Sequence, residues 1–217
     1  GIILYEIEKV GLKNIFTDIE KPLIPIITKM QKAGVKIDVK KLASLSKEYH
    51  TDLTAIEKRI YAAAGQEFNI NSPKQMGLTY KGLRKTSSGK YSTKEEVLDK
   101  LALENPIAQA ILEYREIQKL LSTYIDSLPT QVADDGRIHA QFIQAGAATG
   151  RFSSKNPNLQ NIPVGTERGK KIREAFVADK GKVLMSFDYS QIELRIAAFL
   201  SNDEKLIGAF KNGEDIH

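Results

Sequence analysis

Apolar residues recur every three or four positions over the first 130 or so residues, and in shorter alternating runs after that. A short amphipathic helix is predicted over 2–13, ending near Gly11. A second is predicted over 18–33, where Ile19, Leu23, Ile26, Ile27 and Met30 make one stripe and Gly34 is the C-cap. Pro22 and Pro25 belong near its first turn, where missing N–H groups cost little. Val35-Lys36-Ile37 alternates and predicts a short strand. Asp38 then caps a helix running to about Ala64, striped by Leu42, Leu45, Tyr49, Leu53, Ile56 and Ile60 and closed by Gly65. Asn71-Ser72-Pro73 is a turn or a helix start. Thr93 with Glu96 is a capping box for a helix to about Leu103. Asn105-Pro106 opens a helix to about Leu128, striped by Ile107, Ile111, Tyr114, Gln118, Leu121, Ile125 and Leu128. The two longest helices, of about 25 residues each, span roughly 37 Å at about 1.5 Å per residue. Their stripes are core and carry no chemistry.

The period changes at Asp134-Asp135-Gly136, a turn signal, after which 137–144 alternates as a strand. A short helix is predicted before Phe176. Val183 to Phe187 is a brief apolar run and predicts a buried strand. Ser190 with Glu193 is a capping box opening a helix on which Ile192, Ile196, Phe199 and Leu200 repeat. Asp203 and Glu204 are helix-start charges. The pattern predicts an α+β succession, long helices followed by a mixed stretch of strands and short helices, with a boundary near 132–136 and no internal repeats.

Composition narrows the chemistry. The 217 residues include no cysteine and three histidines, so disulfide frameworks, zinc–thiolate sites and cysteine nucleophiles are excluded. Hydrophobic content of 41% supports a core. A net charge of +5 is compatible with a polyanionic partner without requiring one. The longest apolar runs fall far short of the roughly 20 residues that span a bilayer, and the first residues lack a signal-peptide layout, so the expectation is an intracellular protein away from membranes. Six basic residues and no acid lie from Lys74 to Lys94, around the loop Thr86-Ser87-Ser88-Gly89. That stretch is either a tip that touches phosphates or a solvated loop. Arg168, Lys170, Lys171 and Arg173 are a second basic group, read as solvated surface.

Asp188 stands where an apolar strand is expected to end and a helix to begin, a place where sheet proteins put ligand groups. Its hard oxygens suit Mg²⁺; the plain alternative is a turn or helix cap. Gly150-Arg151-Phe152-Ser153-Ser154, with Asn158, Gln160 and Asn161 after Pro157, joins a conformationally free glycine, a charged donor fork and neutral amides. Its plain alternative is a salt-bridged arginine in a polar loop.

These two blocks carry a resemblance. Asp188-Tyr189-Ser190-Gln191-Ile192-Glu193-Leu194-Arg195 resembles the first catalytic motif of family A DNA polymerases, the bacterial DNA polymerase I type. Thr149 to Ser154 and Pro157 to Pro163 resemble the upstream palm motif, in the family's order and at about its separation. The resemblance extends over nearly the whole chain. It implies a helical lead-in (1–37), a thumb (38–132) and the N-terminal part of a palm (133–217). It also implies extension of a primer 3′ end on primer-template DNA, with deoxynucleoside triphosphates and Mg²⁺, in replication and repair, by a monomer. The setting it implies is the bacterial cytoplasm at the nucleoid, with organelle and phage origins left open.

Residue by residue, Asp188 and the Tyr189 carbonyl are implied as metal ligands in a two-metal site. Ser190, Gln191, Glu193 and His217 are implied at the nucleotide. Glu193 excludes a ribose 2′-hydroxyl, or else only closes the capping box. Arg151 is implied in the minor groove, reading acceptors common to all base pairs. Ser153, Ser154, Asn158, Gln160, Asn161, Lys85 and Lys90 are the other implied DNA contacts. Both chain ends read as cut. The family's fingers helix and second metal carboxylate would lie beyond His217, so the segment is expected to be inactive alone. The rival from another class is a non-catalytic duplex-DNA-binding module.

Overall fold

In the computed structural model, which describes residues 2–79 and 92–214, the elements of the first stretch follow one another as α1 (Ile2–Lys9), α2 (Lys13–Ile15), a π-helical turn (Phe16–Glu20), α3 (Lys21–Ala33), β1 (Val35–Lys36), α4 (Val39–Ala64), α5 (Pro73–Thr79), α6 (Glu95–Ala102), α7 (Pro106–Leu120), a second π-helical turn (Leu121–Ile125), a 3-10 turn (Leu128–Gln131), β2 (Arg137–Ile138), β3 (Gln141–Ile143), β4 (Ser153–Lys155) and α8 (Glu167–Arg173). These form one compact unit, Gly1–Asp179; a second, Lys180–His217, contains α9 (Ile192–Ser201) and α10 (Glu204–Lys211). The class is α+β, as the sequence pattern implies. The turn at 134–136 is a change from helix to strand within the first unit.

The two largest helices form where their caps dictate. Asp38, in extended backbone, accepts the Lys41 N–H at 3.0 Å, and left-handed Gly65 ends α4. Asn105 accepts the Ile107 N–H at 2.9 Å, with Pro106 in the first turn of α7. α4 packs against α7, and α6 packs against α7 as well. Leu42, Leu45, Tyr49, Ile56 and Ile60 of α4 share one core with Ile111, Tyr114, Ile117 and Leu120 of α7, and with Leu121, Tyr124 and Ile125 beyond it.

Several expectations are corrected. Helix is continuous from Lys13 to Ala33, so the predicted start at 18 falls inside a π-helical turn. Pro22 and Pro25 lack the N–H groups that the Asp18 and Lys21 carbonyls would accept in a regular helix, and the π turn lies directly before them. Of the predicted stripe only Ile27 is buried, because few of the described residues cover this rod. α6 takes Lys94 as N-cap with no side-chain cap bond. The helix thus starts one residue too late for a Thr93–Glu96 capping box; the Thr93 carbonyl accepts Arg115 Nη1.

The strand expected over 137–144 breaks at His139–Ala140 because its halves have different partners. β2 pairs antiparallel with β1 (Val35↔Ile138, Lys36↔Arg137), and β3 pairs with β4 (Phe142↔Ser154). On its other side the β1 segment meets residues 175–177. Ile37 bridges Phe176, the Val177 N–H donates to the Lys36 carbonyl at 3.1 Å, and the Asp38 N–H donates to the Ala175 carbonyl at 2.8 Å. Asp179 is then clamped by Arg137 Nη2 and, at 3.2 Å, by Lys36 Nζ. Gly34 is required at this junction: its φ is 60°, and a Cβ would lie 2.8 Å from the His139 ring and 2.9 Å from the Ile138 carbonyl.

His139 ties the end of α3 to the sheet, with Nδ1 2.8 Å from the Gln31 carbonyl and Nε2 3.0 Å from Asp135. Its pKa is raised from 6.5, first by the Gln31 carbonyl and then by Asp135, since both bonds favour the protonated ring. Asp135 is lowered from 3.8. Burial opposes that shift, but the Arg137 N–H and His139 outweigh it. The His139 contribution is therefore complete below its unfolded pKa and is lost as pH rises through its folded pKa. That of Asp135 is present above its unfolded pKa and is lost as pH falls through its folded pKa. Thermal stability is expected to fall as pH rises above 6.5, the ordinary histidine value from which His139 is raised, and His139→Gln is expected to flatten that decline; melts with the same slope in both proteins would exclude it.

In the second unit the predicted buried strand over 183–187 is absent. No regular element forms there, and Val183 and Phe187 are 78% and 85% exposed. A strand needs neighbours for its N–H and C=O groups, and none of the described residues pairs with it. α9 and α10 pack on each other, joined through left-handed Asn202. Asp203 caps α10 as expected, accepting the Lys205 and Leu206 N–H groups at 2.9 and 3.0 Å.

Candidate nucleic-acid interface and metal carboxylate

The β3–β4 hairpin and the chain after it build an open cleft of about 610 Å³, lined by Gly150, Arg151, Phe152, Gln160 and Asn161. Gly150 turns the backbone at φ 74°. Arg151, Gln160 and Asn161 are exposed. The walls are held from behind. Gln160 Nε2 donates to the Phe152 carbonyl at 3.0 Å, and Asn158 Oδ1 accepts the Gln160 N–H at 3.0 Å. The hydroxyl of buried Tyr124 donates to the Asn161 carbonyl, and burial raises its pKa, which keeps the donor protonated. Sequence reasoning placed Tyr124 nowhere, because its partner lies 37 residues away.

Ser154 is 5% exposed; its hydroxyl donates to Asn158 Oδ1 at 3.0 Å, and the Ser154 hydroxyl oxygen accepts the Leu159 N–H at 3.0 Å, which closes the loop from inside. Ser153 and Ser154 also belong to β4, where the composition suggests a loop. The basic group near α8 is solvated, ion-paired surface. Arg168 reaches Glu113 and Glu116 at 3.0 and 2.8 Å, Lys170 pairs with Glu167, and Lys171 with Glu48.

Asp188 belongs to the second unit, where it and Tyr189 are exposed. The capping box predicted after them does not form. The N-cap of α9 is Gln191, left-handed at φ 51° and without a side-chain cap bond, so Ser190 sits one position too early. Glu193 stands in the exposed first turn, where its charge suits the helix dipole. Among the described residues no three His, Asp or Glu side chains gather as a metal cage. A lone exposed carboxylate still fits magnesium, which is commonly held by one or two carboxylates together with substrate phosphates and water. Lys85, Lys90 and His217 lie outside the described residues. Among the described helices none is long and apolar enough to cross a membrane.

The comparisons with known proteins agree in direction. The family model described as DNA polymerase family A matches residues 39–217. The DNA polymerase I of Lactococcus lactis subsp. lactis is 47% identical over 211 residues, covering 94% of this chain and 24% of the relative. The Geobacillus stearothermophilus DNA polymerase I is 46% identical over 223 residues, covering 99% and 25%. The chain thus spans about a quarter of the length of these relatives. Among solved structures, the POL domain of Pol1 from M. smegmatis, in complex with DNA primer-template and dNTP, superposes with a TM-score of 0.89 at 37% identity, over 99% of this chain and 39% of that one. With the model matched across most of its length and such relatives across nearly all of it, the chain belongs to DNA polymerase family A.

Proposed function

We propose that the chain supplies the thumb (38–132) and the N-terminal part of the palm (133–217), with a helical lead-in (1–37), of a DNA-directed DNA polymerase. The enzyme extends a primer 3′ end with deoxynucleotides in DNA replication and repair. It works as a monomer in the bacterial cytoplasm, at the nucleoid. The observation that carries this reading is the exposed Arg151 in an open cleft, beside Gln160 and Asn161, in a chain of this family. The similar M. smegmatis domain is a complex with DNA primer-template and dNTP, which supports the same partners for this chain.

Arg151 offers a charged donor fork to minor-groove acceptors, which are alike in every base pair, so it grips without choosing a sequence. Ser153, Asn158, Gln160 and Asn161 add neutral contacts to sugar, phosphate and base edges; Lys85 and Lys90 add phosphate contacts. Asp188 and the Tyr189 carbonyl would hold Mg²⁺, as part of a two-metal site. When bound, the metal ions neutralise the triphosphate and lower the pKa of the primer 3′-hydroxyl. Ser190, Gln191 and His217 are assigned to nucleotide binding, and Glu193 to excluding the ribose 2′-hydroxyl.

The chain alone carries half of the metal site, so the purified 217-residue protein is expected to bind primer-template but not extend it. Extension above background by that protein would refute the half-site. In the full-length polymerase carrying this segment, Glu193→Ala is expected to raise ribonucleotide incorporation relative to deoxynucleotide by more than about tenfold, the scale set by an added steric or polar clash. Unchanged discrimination would return Glu193 to a helix-dipole role alone.

A further inference from the structure

Two contacts at the start of α9 give Arg195 a task. Its Nε donates to the Ser190 carbonyl at 2.8 Å. Its guanidinium lies 4.6 Å from the centre of the Phe210 ring. Phe210 is on α10, which packs on α9 after the left-handed Asn202. One side chain therefore grips the turn ahead of α9 while resting on the helix that follows it. That turn contains Gln191, a non-glycine residue at φ 51°, a backbone conformation that persists only where its surroundings over-determine it. The Gln191 side chain does not cap α9, and the Arg195 N–H closes the first helical bond onto the Gln191 carbonyl at 3.0 Å. A planar guanidinium suits this double duty: Nε–H is a directional donor, while its face stacks on an aromatic ring.

We propose that Arg195 is a positioning residue. Braced on Phe210, it holds the Ser190–Gln191 turn and so fixes where Asp188 and Tyr189, the residues directly before it, stand. The inference rests on the polymerase reading for the role of Asp188. It differs from a substrate contact in a testable way. An arginine touching DNA or triphosphate acts through its own charge, whereas a brace acts through Phe210 and the Ser190 carbonyl.

The test uses the full-length polymerase carrying this segment, with Arg195→Ala, Arg195→Lys, Phe210→Leu and the Arg195→Ala/Phe210→Leu pair. Arg195→Ala is expected to lower kcat about tenfold and to raise severalfold the Mg²⁺ concentration for half-maximal rate, with KM for primer-template kept within about twofold. Phe210→Leu is expected to act in the same direction more weakly, and the pair to be no worse than Arg195→Ala. Full rescue by Arg195→Lys, a silent Phe210→Leu, or losses that multiply would overturn the brace. In the 217-residue chain, Arg195→Ala and Phe210→Leu are each expected to speed hydrogen exchange of the backbone amide at position 195 by about tenfold; unchanged exchange overturns the proposal whatever the activity does. Primer extension that survives Asp188→Ala while exchange still responds would remove the polymerase reading and leave the brace in place.

Discussion

Asp188→Ala in the full-length polymerase is expected to cut primer extension by at least about 10³-fold, the scale lost with a principal electrostatic partner of a transition state, or about 4 kcal/mol. Affinity for primer-template is expected to stay within about twofold, because the DNA contacts proposed above belong to Arg151 and other residues of the first unit, which the substitution leaves in place. Asp188 is exposed and belongs to no regular element, so its loss removes the proposed metal ligand without opening a cavity or breaking a helix. Single-turnover extension and fluorescence anisotropy with labelled primer-template separate the two effects. Extension that survives the substitution would favour the rival reading, a duplex-binding module with no chemistry of its own. A parallel fall in DNA affinity would assign Asp188 to grip.

The second large effect is expected in the core of the first unit. Ile111 is fully buried on α7, in the cluster shared with Leu42, Leu45 and Ile60 of α4. Ile111→Ala removes the packing atoms and leaves a void that a close-packed interior fills only in part, at about 2–5 kcal/mol. In a protein of this size that corresponds to a Tm lower by roughly 4–20 °C. Lys170→Ala, which removes an exposed ion pair one turn apart on α8, is expected to leave Tm unchanged. Circular-dichroism melts of the two variants decide the matter. Equal melting points would mean that the α4–α7 contact does not carry the stability of the unit.

Helices were legible because their information is local. The stripes of α4 and α7, the caps at Asp38, Asn105 and Asp203, and the stops at Gly34 and Gly65 each depend on residues within a turn or two. What failed depended on partners far along the chain. The apolar run at 183–187 looks like a strand, but a strand exists only where another pairs with it. The alternation over 137–144 could not reveal that its halves would choose β1 and β4. Both predicted capping boxes miss the observed N-cap by one residue: α6 takes Lys94, and α9 takes the left-handed Gln191. In the site, Arg151 and Asp188 were legible because charge and motif mark them. The burial of Ser154 was not legible, because it follows from the β3–β4 pairing, which no local pattern announces.

The stitching around β1 has a consequence for how the chain is made. Residues 35–37 meet 137–138 on one side and 175–177 on the other, and Asp179 locks onto Lys36 and Arg137. On a ribosome, the α4–α7 helices can collapse while synthesis continues, since their contacts close over fewer residues. β1 must wait until about 140 more residues have emerged, roughly the separation between Ile37 and its farther partner Phe176, before both its edges are satisfied. The last stitch to close in the first unit is thus also the place where the chain departs toward Asp188, so the segment bearing that carboxylate leaves an anchored base only after that whole unit has been synthesised.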